Sequence, residues 1–170
     1  QELDNYVPAG AELTIMSTHP GDGVQRTCVE HGCDVLANQT MTLLEGDPTH
    51  RPTLNGLGVD TYQHVLLLSN FEGLGPQEAD TRTLVTLLHL RDITRLTNSH
   101  FSIASEMLDM RNRDLLNVTQ ADDFIVSNKI TSLMLSQLAE NAELEAVFQD
   151  LFDVEGSELY LKPAGNYVKL

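Results

Sequence analysis

At 170 residues, with 41% hydrophobic and 21% charged side chains, the chain has the size of one globular domain, or of one domain with a small appendage. No run approaches the roughly 18 uninterrupted apolar residues of a membrane span. Ten Lys and Arg against 25 Asp and Glu give a net charge of −15, which repels phosphate backbones and anionic membranes, excludes nucleic acid as a partner and favours metal cations or basic partners.

Gln1 to Tyr6 is polar and acidic and lacks the basic start and apolar stretch of a signal peptide. Glu12–Ser17, with Leu13 and Ile15 alternating, predicts a strand. His19–Gln39, with Gly21, Gly23 and Gly32, reads as loop or weak helix. Further strands are predicted at Met41–Leu44, Val65–Leu68, Phe101–Glu106 and Asp123–Val126. Continuous apolar runs of this kind suit parallel strands covered on both faces. Helices are predicted over Gln77–Leu96, where Leu84, Leu87, Leu88 and Ile93 form a stripe and Pro76 sits near the first turn, over about Asn128–Ala139, and over Glu143–Phe152. A last strand, Glu158–Lys162, precedes Pro163. The alternation predicts an α/β fold with a mostly parallel sheet and helices on both faces.

Few motifs carry chemistry by themselves. The Gly-x-Gly triplets at Gly21, Gly56 and Gly73 lack the third glycine of a dinucleotide fingerprint and read as turns. Glu72, Glu78 and Asp80 surround the triplet at Gly73, so that loop reads as a cation site or an acidic helix cap. Cys28, His31 and Cys33 fit no standard zinc spacing, and two cysteines make no disulfide framework, which points to a reducing interior. The Asn-x-Thr triplets at Asn38 and Asn117 read as chance, and His64 and His89 as packed or capping side chains. No hydrolase elbow, Walker loop or His-Glu-x-x-His helix occurs. Asp80, Glu106 and Asp109 stand near the carboxyl ends of neighbouring strands, where α/β sheets bind ligands, and could supply hard oxygens to calcium or magnesium.

Longer segments carry more. Ala79 to Leu84, Thr86 to Leu88 and Leu90 to Ile93, then Ser105 to Asp109 leading to Arg111 and Asn112, the stretch Phe124 to Asn128, and Leu151 and Phe152 through Glu155 to Tyr160 and Pro163 resemble the cytosolic region of CASTOR and POLLUX type ion channels. The wider relative is the domain regulating potassium conductance, a Rossmann-like module that assembles into gating rings. The resemblance implies nucleotide contacts at Gly46 and Asp47, with Ser17 and Ser69 at the other strand ends, and a calcium site at Asp80 and Glu106 with Asp109 as a weaker third ligand. It also implies self-association through the helices between Asn128 and Phe152, and a division into a regulatory lobe, 1–140, and a crossover with the start of a subdomain, 141–170.

Two departures bear on the ligand. Gln1 to Val7 resembles the end of the family's first helix, which implies that the first strand and its glycine-rich turn lie upstream of this chain. Ser17 is followed by Thr18 where an acidic residue would hold a ribose hydroxyl. Dinucleotide binding by this chain is therefore expected to be weak or absent. The resemblance thus implies a non-enzymatic, ligand-sensing domain at the cytoplasmic face of a membrane, joined to the pore domain of its own channel. A dinucleotide-dependent oxidoreductase fragment and a purely structural ring-forming module are the alternatives.

Overall fold

The computed structural model describes residues 2–18, 36–69, 73–112 and 123–153. Its elements are α1 (Glu2–Tyr6), β1 (Ala11–Ser17), β2 (Gln39–Glu45), α2 (Arg51–Leu57), β3 (His64–Leu67), α3 (Pro76–Thr97), β4 (Ser102–Met107), β5 (Asp123–Val126), α4 (Ser127–Glu140) and α5 (Leu144–Phe152). Short 3-10 turns at Val59–Thr61 and Met110–Asn112 complete them. The five strands found are those expected, each within two residues at either end. The expected strand Glu158–Lys162, and Cys28, His31, Cys33 and Asn117, lie outside the described residues.

All pairings are parallel, as an alternation of strand and helix requires. They form two sheets. β1 pairs with β2 from Ala11 opposite Gln39 to Ser17 opposite Glu45, while β4 lies between β3 and β5. Among the described residues β1 and β3 each have one neighbour, so their other edges do not pair with each other. An open sheet in the doubly wound order 3-2-1-4-5-6 splits in this way when its first strand is absent. Tyr62, just ahead of β3, still reaches Thr14 of β1 through a hydroxyl contact of 2.9 Å.

The core lies between α3 and one face of the three-stranded sheet. Alternation along β4 points Ile103, Ser105 and Met107 at Leu87, Leu90 and Ile93 of α3, all of them buried. Helices on both faces were expected. On the face of this sheet away from α3, Leu66 and Ile125 are half exposed. Pro76 starts α3 at a position where a missing N–H costs nothing, and Asn98, in the left-handed region at φ 54°, ends it. Thr83, Thr86, Thr94 and Thr97 turn their hydroxyls back onto carbonyls four residues earlier, which lets a threonine-rich helix pack.

α2 was not expected, since Pro52 and Gly56 argue against a helix of seven residues. Pro52 falls in the first turn, where it is tolerated, and Gly58, at φ 66°, caps the end. Gly56 is therefore helical and only Gly58 makes the expected turn. At the other end of the chain, α4 and α5 contain no buried residue, and Leu133, Leu135, Val147 and Phe152 are all more than half exposed.

Candidate ligand site at the carboxyl edge of the strands

Parallel strands bring their carboxyl ends to one edge, and the residues singled out from the sequence lie along it. Ser17 ends β1, and its carbonyl accepts the Gly46 amide at 2.8 Å. A Cβ at Gly46 would stand 2.8 Å from Thr53 Cγ2 and 3.4 Å from Met16 Sδ, so only glycine lets the end of β2 lie this close to α2. Asp47 follows. Its Oδ1 accepts the Thr49 amide and hydroxyl at 2.9 and 2.7 Å and the Arg82 guanidinium at 2.9 Å, which ties β2 to α3.

Ser69, two residues past β3, is buried; its amide donates to Glu106 Oε2 at 2.9 Å, and its hydroxyl has no partner among the described residues. The set Ser17, Gly46, Asp47 and Ser69 thus lies at the carboxyl ends of the strands, three of them on the β1–β2 sheet and Ser69 on the other. The carbonyl of Ser17 and the carboxylate of Asp47 are engaged within the protein.

The three carboxylates expected to bind calcium are arranged differently. Asp80 is fully buried. Its Oδ1 accepts the Leu108 amide at 2.8 Å, and its Oδ2 accepts the Asp109 amide at 3.0 Å and Asn112 Nδ2 at 2.7 Å. Both oxygens of Glu106 also face donors, the Ser69 amide and the Ser127 hydroxyl. Asp109 receives the Arg111 guanidinium at 2.6 to 3.1 Å. Calcium needs six to eight oxygens, and a cation here would share each carboxylate with the N–H and O–H donors it already serves. Among the described residues no three Asp, Glu, His or Cys side chains are grouped to hold a metal. Among the described residues Asp80 anchors the turn after β4, and Asp109 pairs with Arg111. Millimolar calcium is accordingly expected to shift the melting temperature no more than magnesium does at equal ionic strength. A calcium-specific rise of several degrees, lost in Glu106→Gln, would restore the cation site.

Four aspartates are held below the usual carboxylate range. The Ala37 amide does this for Asp4, the Thr49 hydroxyl for Asp47, the Arg95 guanidinium and then Arg51 for Asp92, and the Arg111 guanidinium for Asp109. A carboxylate with a depressed folded pKa stabilises the fold above its unfolded value, about 3.9, and loses that contribution as pH falls through the folded value. These groups should leave the melting temperature level from pH 5 to 8 and lower it below about pH 4. Asp47→Asn should make the acid fall shallower in circular dichroism melts, and an unchanged slope would show that its bonds do not contribute.

The roles of Arg82, Asn112 and Ser127 were not foreseen. The signal was present in part, since the two segments of the resemblance, 79–84 and 105–112, are joined in space by Asp80.

No family model matches the sequence. Curated proteins do. Over 98% of its length the chain is 30% identical to the ion channel DMI1 of Medicago truncatula, 29% to the ion channel POLLUX of Lotus japonicus and 28% to the probable ion channel CASTOR of Oryza sativa subsp. japonica. The chain spans about a fifth of these relatives, 22% of each. Among solved structures, the crystal structure of the GsuK RCK domain superimposes with a TM-score of 0.51 at 16% identity, covering 85% of this chain and 30% of that one. That likeness concerns the fold, a Rossmann-like α/β arrangement. The resemblance to CASTOR and POLLUX type ion channels therefore holds along nearly the whole chain. No described helix is long and apolar enough to cross a membrane.

Proposed function

We propose that this chain is the cytosolic regulatory domain of a CASTOR/POLLUX-like cation channel, acting by ligand-biased motion within a homo-oligomeric ring and joined to the pore of the same protein. The observation that carries the reading is alignment to ion channels over 98% of the chain. Two structural features support it. The carboxyl edge presents Ser17, Gly46, Asp47 and Ser69 on two separate sheets, so a ligand spanning them would prefer one arrangement of the sheets. A ligand shifts an equilibrium only by its differential affinity, and moving 1:99 to 99:1 takes about 5.5 kcal/mol. The second feature is the pair α4 and α5, whose apolar side chains nothing in the described chain buries.

One further expectation concerns the ligand. Dinucleotides depend on amides at a glycine-rich turn that opens a helix, and the junction from β3 to α3 carries Gly73 and Gly75 without the third glycine of that fingerprint. Calorimetric titration of this chain with dinucleotide should give no binding at tens of micromolar. Micromolar affinity would mean that the edge residues suffice without that turn. The engagement of Asp47, Asp80, Glu106 and Asp109 by protein donors favours one alternative, a structural ring module that binds nothing small. Titration of the full-length protein with nucleotides, followed by ring stability, separates the two readings: a ligand-linked shift supports regulation, and its absence across nucleotides and divalent cations supports the module.

A further inference from the structure

α4 leaves the sheet immediately after Val126, the last core residue, and buries none of its own side chains. What fixes its first turn is polar. The Ser127 hydroxyl donates to Glu106 Oε1, and Asn128 Nδ2 donates to the Leu108 carbonyl at 3.1 Å. Far along the arm, the Tyr6 hydroxyl reaches the Phe152 carbonyl at an exposed 3.4 Å, a bond near the limit of useful length. Among the described residues packing therefore contributes little to the angle at which α4 departs, and two hydrogen bonds at its first turn hold it.

Glu106 serves two elements at once. Its other oxygen accepts the Ser69 amide at 2.9 Å, at the end of β3. A carboxylate has a single plane, and both oxygens move when it turns. We infer that Glu106 is a positioning residue that couples the backbone at the end of β3 to the angle of the α4–α5 arm, so that a change at Ser69 reaches the arm without passing through the core. The bond between Asn128 and Leu108 bypasses Glu106 and serves as the internal control. These contacts lie within one chain, and the inference holds whichever ligand the edge takes.

The test is amide hydrogen exchange at Ser69, followed by NMR on the folded chain. Ser127→Ala removes one donor to Glu106 at a partly exposed position of the first helical turn, so the fold should persist. Exchange at Ser69 should rise about two- to tenfold, the range for one hydrogen bond. Glu106→Gln, which cannot accept from both donors in the same way, should raise it at least as far. Asn128→Ala should leave it within about twofold, although it loosens the same helix. If Ser69 exchanges in Ser127→Ala as in the parent, the coupling does not exist. If Ser127→Ala and Asn128→Ala raise it equally, the effect is general loosening of the arm and the assignment to Glu106 is wrong.

Discussion

Replacing Asp80 by alanine is expected to cost the domain about 3–5 kcal/mol and to lower its melting temperature by on the order of 10 °C. The side chain is fully buried and accepts from the Leu108 and Asp109 amides and from Asn112. Its removal leaves those donors without their acceptor and the turn after β4 without its anchor on α3. A buried donor that loses its partner costs about 1–3 kcal/mol, and such costs do not add fully. Asp80→Asn should recover part of the loss, because one oxygen still accepts while the new amide N–H₂ faces other donors. Thermal melts by circular dichroism measure both. A fall of less than about 2 °C in Asp80→Ala would show that the carboxylate is dispensable, as a solvated metal ligand would be.

Leu135→Glu combined with Val147→Glu is expected to abolish self-association while leaving the melting temperature of the monomer within a degree or two. Both side chains are more than half exposed, at 62% and 56%, and neither helix contributes to the core. Substitution at such positions moves stability by about 0.5 kcal/mol or less. Covering a leucine or valine at an interface gains about 1.5–3 kcal/mol, and a two-fold interface covers each of them twice. The dissociation constant should therefore rise at least about a hundredfold. Light scattering from about 1 to 100 µM decides the matter: a parent that stays monomeric, or a variant that still associates, removes these helices as the interface.

Much of the fold was legible in the sequence because parallel strands are apolar runs of four to seven residues. Met41 to Leu44, followed by Glu45 and Gly46, and Val65 to Leu68, followed by Ser69 and Asn70, are too short for helices and so read as strands. α3 was legible from its stripe at Leu84, Leu87 and Ile93. α2 was not, since a helix of seven residues with Pro52 and Gly56 has no periodicity to read, and it owes its stability to Leu54 in the core. The candidate site was legible by place and less by role. Gly46 and Ser69 lie at the strand ends where the pattern put them. A solvated aspartate and a buried one are identical in sequence, however, and only the fold brings the amides of Leu108 and Asp109 against Asp80. Glu106 was read as a ligand for the same reason, because its two donors come from Ser69 and Ser127, 37 and 21 residues away.

The central claim, that this domain regulates a pore to which it is joined, is tested most directly by single-channel recording from the full-length protein in a lipid bilayer. Wild type is compared with Leu135→Glu/Val147→Glu. The account predicts cation currents in both, with open probability changed by the substitutions and unit conductance unchanged, because the substitutions act on ring assembly and not on the pore. Absence of channel current from the full-length protein, or a changed unit conductance at unchanged open probability, would contradict it.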